Sequence, residues 1–165
     1  MTQLATFYIG DDRYAFDILL TREIGRIQDL NPVPESADYI VGLMNLRGQI
    51  LTLMDPHYLL DQDSKTPLKD QTLIIMKTEA ELEILRRTNE EVEASVGGQD
   101  PMALVVDRIG DVLNIHPEDV LPVPPNITGR KRDYVSGVIQ LKDQIVTLIA
   151  MGKLVKKFLE HSQED

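Results

Sequence analysis

The residues of this 165-residue chain that could do chemistry are three histidines, an aspartate pair, five serines and scattered carboxylates. His57, His116 and His161 could ligate zinc or shuttle a proton. None stands at ligand spacing from another, and each lies beside a proline or near the tail, so exposed loop or terminal positions are expected for all three. Asp11-Asp12 follows Gly10 and reads as turn chemistry, because no 12-residue calcium loop follows it. The serines at 36, 64, 95, 136 and 162 lack the G-x-S-x-G setting of a nucleophile. Gly97-Gly98 lacks the lysine of a phosphate loop. Asp55 and Glu23 read as isolated carboxylates, since sequence alone sets no second carboxylate beside either. No catalytic constellation, metal site or cofactor site is expected.

Composition narrows the classes further. The net charge of −10 is the wrong sign for a nucleic-acid footprint or for docking on anionic lipid, and it favours basic partner surfaces. Aromatic residues make up 5% with no Trp, which disfavours a base-stacking surface. There are no cysteines, in keeping with a reducing compartment. Neither a signal-peptide pattern at the N-terminus nor an apolar run of about 20 residues is found, so a cytoplasmic protein is expected.

The elements that must position any site come from a repeat. Residues 39–60 and 134–155 match at 8 of 22 positions with an offset of 95, where average composition gives roughly one or two. The identities include Tyr39/Tyr134, Gly42/Gly137, Gln49/Gln144, Ile50/Ile145 and Thr52/Thr147. Pro32-Val33-Pro34 and Pro122-Val123-Pro124 precede the two copies, and Tyr14–Ile18 with Glu23-Ile24 parallels Met102–Val106 with Arg108-Ile109. Two copies of one supersecondary unit is the economical reading.

Each unit reads as strands. Phe7–Ile9 and Tyr14–Ile18 flank a Gly10-Asp11-Asp12 turn, and Leu43–Leu46 and Gln49–Met54 flank Arg47-Gly48. Leu73–Met76, Ala103–Val106, Val112–Ile115, Val138–Leu141 and Gln144–Ile149 continue the pattern. Ser36–Ile40 suggests one helical turn, and the apolar spacing of Leu154, Val155, Phe158 and Leu159 predicts a C-terminal helix, about 151–161, with a frayed end over 161–165. Residues 78–101 break the symmetry. Thr78–Glu93 carries six Glu against two Arg and no Gly or Pro, an acidic and partly helical excursion whose plainest reading is a solvated loop.

The string Gly42-Leu43-Met44-Asn45-Leu46-Arg47-Gly48-Gln49-Ile50-Leu51, ending at Asp55, resembles the signature of the CheW family. Tyr14–Ile18 with Glu23-Ile24, Leu104–Asp107 with Asp111–Leu113, and Leu148–Leu154 are similar to other family segments in the right order. The resemblance runs from Leu4 to Leu159, with the insertion outside it. It implies a mainly β fold: two packed Src-homology-3-like five-stranded barrels and a short C-terminal helix. As one CheW-like domain over 1–165, subdomain one would span about 10–75 and subdomain two about 102–150. Thr52 stands where the family usually has Pro, so its strand should run more regularly here.

The resemblance also implies a role: a non-catalytic scaffold joining the cytoplasmic tip of chemoreceptors to the regulatory domain of a CheA-type histidine kinase. Such a protein would be recruited to membrane-associated arrays. A flagellar, surface-motility, phototaxis or other pathway stays open. The implied interface residues are Thr21, Glu23 and Ile24, then Gly42, Asn45, Arg47 and Gly48 at the signature, and Ile109 and Val112. For Ile24, Ile109 and Val112 the alternative is core packing, and Gly42 is expected to serve the backbone. Arg47 could clamp strand ends or pair with a partner carboxylate. Rival readings are a small-molecule-binding β-barrel protein and a stand-alone regulatory module of another two-component system.

Overall fold

Apolar residues line both faces of most strands, so the chain needs more than one core. The computed structural model describes residues 2–34, 36–88 and 100–162, with side chains as far as 160. Strands β1 (Thr2–Ile9) and β2 (Asp12–Asp17) make the opening hairpin, and a 3-10 turn at Ile18–Leu20, capped by Asp17, leads into β3 (Thr21–Arg26). The signature hairpin is β4 (Ile40–Leu46) and β5 (Gln49–Met54), followed by β6 (Thr72–Met76) and helix α1 (Glu79–Arg86). The second half supplies β7 (Met102–Val106), β8 (Arg108–Ile109), β9 (Leu113–Ile115), helix α2 (Gly129–Arg132), β10 (Val135–Gln140), β11 (Ile145–Ile149) and helix α3 (Met151–Ser162).

The expected division at about 10–75 and 102–150 does not follow the sheets. One sheet runs β10-β11-β2-β1-β8, with β9 also paired to β1, and the other runs β3-β6-β7-β5-β4. The first unit's opening hairpin, β1–β2, therefore lies among strands of the second unit, and the second unit's opening strand, β7, lies among those of the first. β7 runs parallel to β5, setting Met102 opposite Thr52, and β2 runs parallel to β11, setting Tyr14 opposite Thr147. Ile18–Leu20 and the single residue Asp107 carry the chain directly from one sheet to the other.

Both sheets are Src-homology-3-like and curled, and each wraps a small core. Met44, Leu51, Leu53, Leu73, Ile75, Ala103 and Val105 fill one, while Leu4, Ala15, Ile115, Ile139, Val146 and Leu148 fill the other. The opposite faces meet in a larger shared core built from Phe7, Tyr14, Phe16, Met54, Ile74, Leu104 and Val106, with Phe158 and Leu154 of α3. Burying each such side chain contributes about 1.5–3 kcal/mol. The residue alternation sorts them: Ile74 and Met76 face the seam while Leu73 and Ile75 face inward.

The repeat survives in detail. The Asp55 N–H donates to the Tyr39 carbonyl at 2.7 Å, and the Ala150 N–H to that of Tyr134 at 2.8 Å. Bulges fall at Ile40/Gly42 and Val135/Gly137. A Cβ on Gly42 would stand 2.6 Å from the Asn31 carbonyl oxygen, and one on Gly137 2.7 Å from that of Leu121, so the glycines admit a close backbone crossing. Thr52 donates its N–H to the Pro101 carbonyl at 3.3 Å, a bond proline would forfeit, and β5 runs without a break.

Two local expectations change. Ser36–Ile40 is a turn rather than a helix, closed by the Ile40 N–H on the Ala37 carbonyl at 3.0 Å, because pairing with Met54 claims Ile40 for β4. The insertion is not wholly solvated. α1 carries a capping box between Thr78 and Glu81, buries Leu82 in the shared core and packs Leu85 against it. Residues 89–99 of that insertion, and 163–165 of the expected frayed end, lie outside the described residues.

Candidate interaction interface

β3 and β4 are the two edges of one sheet, and the curl brings them together. The backbones of Asn31 and Leu43 exchange hydrogen bonds of 2.9 and 2.8 Å. Farther along, Arg47 donates from one terminal nitrogen to both carboxylate oxygens of Glu23, at 2.6 and 2.8 Å. The turn that presents Arg47 has two residues with positive φ, Arg47 at 50° and Gly48 at 87°, the primed geometry that matches strand twist. Asn45 steadies it by accepting the Gly48 N–H at 3.0 Å. An arginine in the left-handed region costs about 1–2 kcal/mol, and such strain gathers at functional sites. The Arg47 side chain remains 69% exposed, so it clamps the edge and also faces solvent.

The second copy has no such pair. Its equivalents are Arg108 and Lys142, both cationic, and Arg108 lies over the Tyr8 ring at 3.7 Å.

The remaining expected positions divide. Ile24 sits opposite Ile74 and Ile109 opposite Phe7. Cross-strand partners share a face, so both isoleucines lie on the seam-facing sides of their sheets, at edge strands. They are 51% and 37% exposed, against the core-packing alternative, and Val112 just beyond β8 is 47% exposed. Thr21 starts β3, and its buried hydroxyl has no hydrogen-bond partner among the described residues. Thus Glu23, Asn45, Arg47 and Gly48 meet at one end of the β3 and β4 edges. Ile24 and Ile109 flank the seam, and Gly42 serves the Asn31 crossing.

Sequence reasoning missed a buried charge cluster. His57 is not an exposed loop histidine, and Asp55 is not isolated. The imidazole is buried, with Nδ1 on Asp55 and Nε2 3.2 Å from Asp107. Asp107 also accepts from the Gly10 N–H at 2.7 Å, the Lys65 N–H at 3.0 Å and the Ser64 hydroxyl. Burial lowers the His57 pKa, but hydrogen bonds and charge from Asp55, then Asp107, outweigh it and hold the pKa above that of a free imidazole. Burial likewise raises the Asp107 pKa, and the Ser64, Lys65, Gly10 and His57 hydrogen bonds more than reverse it. The spacing Asp55-x-His57 hinted at half of this; Asp107 lies 50 residues away. His116 is exposed as expected, and the His161 side chain lies outside the described residues. No cluster among the described residues could hold a metal ion, and no described helix is long and apolar enough to cross a membrane.

Comparison with known proteins matches this geometry. The model of the family described as "CheW-like domain" matches residues 3–158. The chain is 27% identical over 159 residues to the chemotaxis protein CheW of Treponema pallidum, covering 92% of this chain and 81% of that one. It is 24% identical to the chemotaxis protein CheW of Klebsiella aerogenes, covering 90% and 78%. The crystal structure of the scaffolding protein TtCheW from Thermoanaerobacter tengcongensis superposes with a TM-score of 0.69 at 21% identity, covering 90% and 83%.

Proposed function

Because the chain belongs to the CheW-like domain family, we propose that it joins methyl-accepting chemoreceptors to a CheA-type histidine kinase in a chemotaxis or related motility or phototaxis pathway. Members of this family are adaptors rather than enzymes, and their output is coupling between partners. The kinase's regulatory domain would meet the curled sheets at their exposed edges. The receptor's helical tip would lie along the seam, where Ile24 and Ile109 offer apolar contacts. Work at a receptor tip places the protein in the cytoplasm, at membrane-associated arrays.

The observation that carries this reading is the asymmetry of the repeat. One copy spends a strained turn on presenting Arg47 to Glu23 and solvent, and the other has no counterpart. Titration calorimetry with the kinase regulatory domain and with a receptor tip fragment tests it. Arg47→Ala should weaken one of these complexes by about tenfold or more, as loss of an interface arginine does. An exposed ion pair is worth no more than about 1 kcal/mol, so the melting temperature should barely move. Binding by Arg47→Ala equal to that of the unaltered protein would remove this turn from the interface.

A further inference from the structure

Helix α1 belongs to the segment that breaks the symmetry of the repeat, yet it reaches the same turn. Arg22 precedes Glu23 on β3, and its guanidinium divides between two elements. Nε donates to Glu81 of α1 at 3.1 Å, and one terminal nitrogen donates to the same carboxylate. The other terminal nitrogen lies 3.4 Å from Oε1 of Gln49, the residue that follows the Arg47-Gly48 turn. The turn is thus tied to β3 twice: Arg47 reaches across to Glu23, and Arg22 reaches back to Gln49.

The other sheet shows what such a tie needs. Gln144, the repeat equivalent of Gln49, accepts from Arg13 at 2.9 Å. Arg13 is buried, and Thr6 Oγ1 and the Asp111 carbonyl, at 3.0 and 2.9 Å, fix its other terminal nitrogen. Arg22 is only part-buried, and a long side chain there wanders unless something holds it. Glu81 supplies the hold through a two-point contact. The capping box fixes Glu81 in turn, since its Oε1 accepts from the Thr78 N–H at 3.2 Å and the Thr78 hydroxyl at 3.1 Å. The hydrogen bond from Arg22, against the opposing effect of burial, keeps the Glu81 carboxyl below the usual carboxylate range.

We propose that Glu81 is a positioning residue for the partner-binding turn, acting through Arg22 and Gln49 on the loop that carries Arg47. This rests on the adaptor reading above, and it gives the insertion a role: α1 gives the part-buried Arg22 the support that full burial gives Arg13.

A double-mutant cycle tests it, with affinity for the kinase regulatory domain and the receptor tip fragment measured by calorimetry. Glu81→Gln keeps the capping box and removes the charge, while Gln49→Ala removes the far end of the relay. Each should weaken the complex that depends on Arg47 by about threefold to tenfold, the usual range for coupling through a relay. If they act along one path, the double variant should bind no more weakly than the worse single variant. Additive losses would mean that α1 acts elsewhere and would overturn the proposal. So would unchanged affinity in Glu81→Gln while Arg47→Ala is impaired, an outcome that leaves the adaptor reading standing. If Arg47→Ala also binds normally, the reading of the turn fails and this proposal falls with it. Melting curves of each variant, with binding measured well below the transition, separate misfolding from lost positioning.

Discussion

Two carboxylates face His57 and hold its pKa above that of a free imidazole, and the contacts tie the loop after β5 to the point where β7 hands the chain across the seam. Folding raises its pKa, so its contribution to stability is complete below about pH 6.5, the unfolded value, and fades as pH rises through the folded value. Folding lowers the pKa of Asp107, so that contribution is complete above about pH 4 and is lost as pH falls through its folded value. Both act in full between those limits. Replacing His57 with Gln should cost about 3 kcal/mol there, since it strands a buried carboxylate. Denaturant melts across pH should show that gap narrowing progressively on the alkaline side of about pH 6.5. A gap that does not change with pH would rule out a charged imidazole.

Among the elements, α1 shows how far a local pattern can be trusted. Its helix-forming residues and Thr78 cap announce a helix, and its charge suggests a solvated one. Only the fold shows Leu82 pressed into the shared core. Leu82→Ala should therefore destabilise the whole protein by about 2–5 kcal/mol, as a cavity in a packed core does. A solvated helix would lose a few tenths at most, so chemical denaturation decides between them. The strands tell a similar story. The hairpins at β1–β2 and β4–β5 were readable from turn residues between apolar runs, because a two-residue turn sets its own register. β3 was not readable as a strand, because Thr21–Arg26 is largely polar and pairs on one side only, at a sheet edge.

At the scale of the whole molecule, exchange of the β1–β2 hairpin and strand β7 between the sheets makes each half depend on the other. β11 needs β2 beside it, and β7 needs β5. A fragment of residues 102–165 should not fold alone, since it lacks the two central strands of its sheet. Mixed with residues 1–101 it should regain a cooperative thermal transition, followed by circular dichroism. Independent folding of either fragment would contradict the exchange. The loop between β5 and β6 adds to this dependence. Asp61 pairs with Arg130 of α2 at 2.6 Å, Gln62 accepts from the Tyr14 hydroxyl at 3.0 Å, and Lys65 pairs with Asp11. These contacts reinforce the orientation of the two sheets, and so the spacing of Ile24 and Ile109 across the seam.

The sequence by itself determined what depends on near neighbours and on internal likeness: two copies of a strand-rich unit, their turns, the C-terminal helix and the Arg47 turn. Turn geometry and apolar alternation are settled within a few residues, and a duplication leaves its record in spacing. Only the tertiary structure shows which copy β1–β2 and β7 pair with, because two similar units offer similar strand edges and no local pattern distinguishes them. It alone brought Asp107 to His57, Glu23 to Arg47 and Glu81 to Arg22, contacts across 50, 24 and 59 residues of chain. Charges so far apart meet only when packed sheets carry them there, and no local pattern encodes that approach.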